Sequence, residues 1–183
     1  MARELGCLDG PYKFKNDYSG RAFFQGRTLY QDDEVYNSSW GQVIILAGLP
    51  GTGKDTYIKA SYPGTPVISL DEIRRELKIL PSENQGPVVA RAHELAREYL
   101  RKKQVFIWNA TSISPLIRTS QISLFEEYGA SVRVVFLETD FKENLARNKS
   151  RQAAVPRGVI ENMLSRLEPP ERFEAEAVNW IIV

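Results

Sequence analysis

The sequence predicts an α/β fold: a parallel sheet of about five strands, covered by helices on both faces. Three observations carry this. Short apolar runs recur at residues 43–46, 66–70, 105–108, 132–137 and 179–183. They are near-continuous rather than alternating, as strands buried on both faces are. Stretches of helical periodicity separate them, which is the pattern of parallel strands joined by crossover helices.

Along the chain, residues 1–41 stand apart. They are rich in glycine, polar and aromatic residues (Tyr12, Phe14, Tyr18, Phe23, Phe24, Tyr30, Tyr36, Trp40) with weak periodicity, and end at Ser38-Ser39-Trp40-Gly41. This suggests an irregular extension or linker packed on a main domain at 42–183, with an aromatic platform for stacking bases as the alternative. The first strand, 43–46, feeds a helix at 54–60. The second, 66–70, feeds a helix at 71–78. A turn containing Pro81 and Gly86 precedes a long amphipathic helix at about 87–103, and the third strand is 105–108. A helix at 114–128 is closed by Gly129, where a left-handed residue ends a helix. The fourth strand, 132–137, leads into a helix at 140–148. A charged, turn-rich segment at 149–157 and a helix at about 156–167 follow, and 179–183 is a final strand.

Composition narrows the function classes. With 24 Lys and Arg against 23 Asp and Glu, the 183-residue chain has a formal net charge of +1. Any nucleic-acid contact is therefore a local patch rather than a basic domain. The single cysteine, Cys7, excludes an internal disulfide and a cysteine-based zinc site. No leader pattern and no apolar run of membrane-spanning length appears, so the expectation is a cytoplasmic protein without membrane contact.

The run from Val43 to Thr56 carries the chemistry. A buried strand enters Gly48-Leu49-Pro50-Gly51-Thr52-Gly53-Lys54, which has the G-x-x-x-x-G-K spacing of a phosphate loop and opens a helix. Glycines let the backbone N–H groups wrap a polyphosphate, and the helix start favours its charge. Lys54 is a point charge for the β- and γ-phosphates. The next position, usually Ser or Thr, is Asp55, followed by Thr56. Asp55 is a hard-oxygen donor suited to Mg2+, directly or through water, and the bland alternative is a helix cap with Thr56 in solvent.

Ligands of such sheets bind at the carboxyl ends of the strands. That rule selects the phosphate loop, Ser69-Leu70-Asp71, the segment 108–111 and Glu138-Thr139-Asp140. Asp71 would face the terminal phosphate and accept a proton from an attacking hydroxyl, with Arg74 one turn on to hold an acceptor phosphate. The plain alternative makes Asp71 an N-cap and Arg74 a surface residue. Arg147 and Arg151, four apart, share a helix face before the Val155-Pro156 break. They suit either a lid that clamps phosphoryl oxygens or a solvated helix end.

Taken in order, the loop from Gly48 to Lys54, Asp71-x-x-Arg74 and Arg147-x-x-x-Arg151 resemble the 5′-hydroxyl polynucleotide kinase family over roughly 43–170. The Leu167-Glu168-Pro169-Pro170 segment adds to the likeness. The resemblance implies a P-loop kinase three-layer sandwich with an arginine-bearing lid, using ATP and Mg2+ on 5′-OH ends of DNA or RNA. It assigns Lys54 to the transferred phosphate, Asp71 as general base, and Arg74 to the acceptor phosphate. It makes Arg147 and Arg151 lid arginines over ATP. It also implies a fused or separate phosphoesterase or ligase partner.

Two positions depart from that family: Asp55, and Asn109 where the family often has Asp. Lid positioning would then be weaker, or fall to Glu138 or Asp140 instead. The only histidine, His93, lies mid-helix and reads as structural. Two rival readings keep the same fold. One is a small-molecule kinase acting on a nucleoside, sugar acid or antibiotic, and the other a non-catalytic nucleotide-binding module.

Overall fold

The computed structural model describes residues 13–150 and 154–183. The chain divides into two compact units, residues 1–38 and 39–183.

In the first unit the sequence reading missed a helix, α1 (Asp17–Phe24). Its signal was local and polar. Asn16 is the N-cap, accepting from the Ser19 backbone N–H at 2.8 Å. Asn16 Nδ2 donates to the Val35 carbonyl and Ser19 Oγ accepts from the Val35 N–H at 2.9 Å, so two side chains tie the returning segment to the helix. Phe14, Phe23 and Phe24 form a cluster with ring centroids 5.7 Å apart.

The second unit is the expected P-loop kinase sandwich. Its parallel strands are β1 (Gln42–Ala47), β2 (Val67–Ser69), β3 (Ile107–Asn109), β4 (Ser131–Glu138) and β5 (Ala177–Ile182), in the order β2-β3-β1-β4-β5. Between them run α2 (Lys54–Ser61), α3 (Leu70–Glu76), α4 (Gly86–Arg101), α5 (Pro115–Glu127), α6 (Phe141–Lys149) and α7 (Arg157–Leu164). β1 is central, pairing Ile45 with Trp108 of β3 and with Val134 of β4.

Both sheet faces are apolar because both are covered. One packs Val43, Ile45, Trp108, Val134 and Phe136 against Ala92, Ala96 and Leu100 of α4 and Phe125 of α5. The other packs Ile44, Leu46, Ile107 and Val135 against Ile58 of α2. Small residues at 92 and 96 let α4 lie close to the aromatic side chains beneath it.

Element ends differ from expectation where polar groups intervene. The third strand starts at Ile107, since Val105 is exposed before the chain enters the sheet. α4 stops at Arg101, where Lys103 turns left-handed and Gln104 N–H returns to the Tyr99 carbonyl at 2.9 Å. α7 stops at Leu164, three residues early, and Glu168 N–H donates to the Ile113 carbonyl at 2.9 Å.

Candidate functional site

The phosphate loop leaves the carboxyl end of β1 and is fixed from three sides. Gly48 N–H donates to the Thr111 carbonyl at 2.9 Å, joining the loop to the segment after β3. Gly48 has φ +133°, and a Cβ there would collide with the Leu137 carbonyl of β4, so glycine is required both conformationally and sterically. Within the loop, buried Thr52 donates its hydroxyl to the Leu49 carbonyl at 2.9 Å. Gly53, left-handed at φ +86°, is the N-cap of α2 and supplies no side-chain cap. The helix start therefore keeps N–H groups for an anion.

Lys54 is brought into the loop: its Nζ donates to the Gly48 and Leu49 carbonyls at 2.8 and 2.7 Å. These two carbonyls hold the ammonium over the loop that the sequence assigned it to serve. Asp55 lies inside the first turn of α2, not at its cap. Its Oδ1 accepts from Asn109 Nδ2 at 2.8 Å, a contact across 54 residues made possible because β1 and β3 are neighbours. Thr56 is exposed, and Pro50 is buried.

Asp71 and Arg74 are joined. The N-cap of α3 is Ser69, whose Oγ accepts from Glu72 N–H at 3.3 Å, so Asp71 is not the cap. Arg74 Nη1 donates to Asp71 Oδ1, and Arg74 Nε donates to Gln85 Oε1 at 2.8 Å. Gln85 in turn donates through Nε2 to the carbonyls of Leu80 and Glu83, both at 2.8 Å. The guanidinium is thus oriented from both sides, with 23% of its side chain exposed, while the Asp71 side chain is 70% exposed and open to an incoming hydroxyl. Nothing in the sequence singled out Gln85; its role depends on a turn that folds it back toward α3.

α6 carries two buried asparagines that sequence reasoning passed over, one bonded to the phosphate loop and one to the segment before α7. Asn144 Nδ2 donates to the Pro50 carbonyl at 2.8 Å. Asn148 donates to the Val155 carbonyl at 2.7 Å and accepts from the Val155 N–H at 3.0 Å, clasping the return of the loop between α6 and α7. The same helix carries Arg147, and a Cβ on Gly53 would lie 3.8 Å from Arg147 Nη1. The carboxylate that pairs with Arg147 is Glu143, one turn earlier. The expectation of Glu138 or Asp140 in that role is corrected: Asp140 caps α6, accepting from the backbone of Lys142 and Glu143. Arg151 lies outside the described residues.

The side chain of Arg118 is fully buried. It makes a two-pronged ion pair with Glu174 at 2.5 and 3.0 Å and donates to the carbonyls of Ser112 and Glu168 at 3.0 and 2.9 Å. It thereby pins the segment beyond α7 to the loop after β3. A cavity of about 560 Å3 lined by Pro169, Pro170, Glu171, Arg172, Val178 and Trp180 shares no residue with the phosphate loop. It lacks the phosphate cradle, and the chemistry belongs to the loop.

Among the described residues, no cluster of three or more His, Cys, Asp or Glu is gathered for a metal, and no helix is long and apolar enough to cross a membrane. The Asp55 site fits Mg2+ even so. That ion characteristically takes one or two carboxylates together with nucleotide phosphates and water.

A family model described as an AAA domain matches residues 43–170. An L-seryl-tRNA(Sec) kinase of Methanococcus maripaludis is 24% identical over 135 residues, covering 70% of this chain and 53% of that protein. The chain therefore spans about half the length of this curated relative. A solved structure from Chloroflexus aurantiacus superposes with a TM-score of 0.64 at 18% identity, covering 79% of this chain and 86% of that one. A gluconokinase from Sinorhizobium meliloti 1021 does so with a TM-score of 0.55 at 18% identity, covering 79% and 84%. At these identities the structural likeness is one of fold.

Proposed function

The chain belongs to the AAA domain family, and we propose that it is an ATP-dependent kinase that transfers the γ-phosphate to the 5′-hydroxyl end of DNA or RNA. The observation that carries this reading is the Asp71–Arg74–Gln85 array at the end of β2. An exposed carboxylate beside an oriented guanidinium suits an acceptor that brings both a hydroxyl and a phosphate of its own. A guanidinium has more N–H donors than its two bonds here use.

In this reading the loop N–H groups and Lys54 hold the β- and γ-phosphates, and Arg147 lies beside the loop to neutralise charge on the transferring group. Asp71 receives the proton of the acceptor hydroxyl on its carboxylate as the new P–O bond forms and the bond to ADP breaks. Arg74 fixes the acceptor by its phosphate, so that the hydroxyl stands in line. Asp55 would hold Mg2+, which would supply positive charge to offset that of the phosphates. The likeness to a protein named an L-seryl-tRNA(Sec) kinase supports an acceptor carried on nucleic acid.

A second reading, a small-molecule acceptor, draws on the likeness to a gluconokinase and on the near-balanced charge. Label transfer from γ-labelled ATP to matched 5′-OH DNA and RNA oligonucleotides separates the two. Transfer is expected with the parent and reduced roughly 10²–10⁴-fold in Asp71→Asn. Acceptor affinity should fall as salt rises, because phosphate contacts release counterions. Transfer to sugars or nucleosides but not to oligonucleotides would establish the second reading. Nucleotide binding with no transfer to any acceptor would leave a binding module.

A further inference from the structure

We propose that Asp55 and Asn109 form one metal-gating unit, which makes nucleotide affinity conditional on a divalent cation. The inference rests on the nucleotide-binding part of the kinase reading and not on the identity of the acceptor.

In phosphate-loop enzymes the position after the lysine supplies a neutral hydroxyl to the metal, and a second position, on a neighbouring strand, supplies a carboxylate. In this chain the charge stands the other way round. The loop position is Asp55, and the position at the end of β3 is Asn109, whose amide donates to Asp55 Oδ1 at 2.8 Å. The pair therefore carries one negative charge, held on the nucleotide side.

Two consequences follow from the chemistry of this arrangement. First, Asn109 is a positioning residue. Its N–H fixes one carboxylate oxygen of Asp55 and leaves the second oxygen for a cation. An aspartate at 109 would set two carboxylates at hydrogen-bond distance, which repel unless one takes up a proton. Second, Asp55 follows Lys54 directly in the first turn of α2, beside the loop that would cradle the phosphates. A hydroxyl there tolerates a metal-free polyphosphate; a carboxylate repels it until a cation lies between them. Metal and nucleotide thus each strengthen the binding of the other.

The test measures equilibrium binding of ATP without acceptor, by calorimetry, in Mg2+ and in EDTA, on the full chain. Water-proton relaxation with Mn2+ and ADP reports the cation separately. For the parent, Mg2+ should tighten nucleotide binding by roughly 100-fold. Asp55→Ser should strengthen metal-free binding, cut that ratio about tenfold or more and weaken Mn2+. Asn109→Asp alone should weaken metal-free binding further. The Asp55→Ser/Asn109→Asp pair should recover cation affinity beyond the sum of the single effects, which identifies one unit. Circular dichroism checks that each variant is folded, with Asp55→Asn as the shape-conserving substitute.

Equal affinities in Mg2+ and EDTA, a ratio unchanged by Asp55→Ser, strictly additive single effects, or no nucleotide binding with Mg2+ would each overturn the proposal. An enzyme that phosphorylated 5′ ends but bound ATP equally in both conditions would separate its failure from that of the kinase reading.

Discussion

His93 shows how one side chain reports on its surroundings. It sits on α4 with its ring centroid 5.5 Å from that of Trp108 on β3. Burial disfavours its charged form, and Arg97, one turn further along α4, adds like-charge repulsion, so its pKa falls below the usual 6.5. Folding therefore prefers the neutral ring. The unfolded chain binds the extra proton first, so this contribution is present above pH 6.5 and is lost as the pH falls below it toward the folded pKa. Urea midpoints measured from pH 7.5 down to 5 should drop less for His93→Gln than for the parent, and parallel curves would refute the assignment. His93 was legible as structural from its mid-helix place. The roles of Asn109, Asn144 and Asn148 were not, because each depends on a partner fixed by the backbone path: Asp55 is 54 residues from Asn109, and Pro50 is 94 residues from Asn144. An isolated asparagine has no sequence signature comparable to the G-x-x-x-x-G-K spacing.

At the scale of elements, strands were easier to read than helix ends. Apolar runs mark a strand covered on both faces, whereas helix ends depend on left-handed residues such as Lys103 or on caps such as Asn16. α1 escaped notice since its buried face is Ser19, Gly20, Arg21 and Ala22, which gives little apolar periodicity. Arg118 of α5 breaks the usual pattern: a charge on a helix ordinarily faces water, and here Glu174 neutralises it out of water. Removing one partner of a buried pair strands the other. Arg118→Ala should cost about 3–5 kcal/mol in denaturant unfolding, and Arg118→Met combined with Glu174→Gln should cost less than the sum of the two single changes. A loss below about 1 kcal/mol for Arg118→Ala would refute a tethering role for the pair.

For the molecule as a whole, the Phe14, Phe23 and Phe24 rings cluster in the first unit, while the three clusters of buried core residues around the sheet and the phosphate loop belong to the unit 39–183. That unit also holds all five strands and the phosphate loop. A fragment of residues 39–183 should therefore unfold in a single cooperative transition and retain nucleotide binding. A fragment without cooperative unfolding would show that residues 1–38 are needed for the core. The parallel sheet with helices on both faces was legible because alternating strand and helix signals allow few arrangements, whereas the strand order was not read from the sequence.

The central place of β1 has a consequence in time rather than in space. Bonded to β3 on one side and β4 on the other, its amides can meet water only when the sheet itself comes apart. Edge strand β5, bonded to β4 alone, can open sooner. Deuterium should accordingly enter β1 at the rate of global unfolding and β5 well before it. Because the phosphate loop grows directly out of β1, a nucleotide seated there would slow exchange throughout the sheet, including strands it never touches.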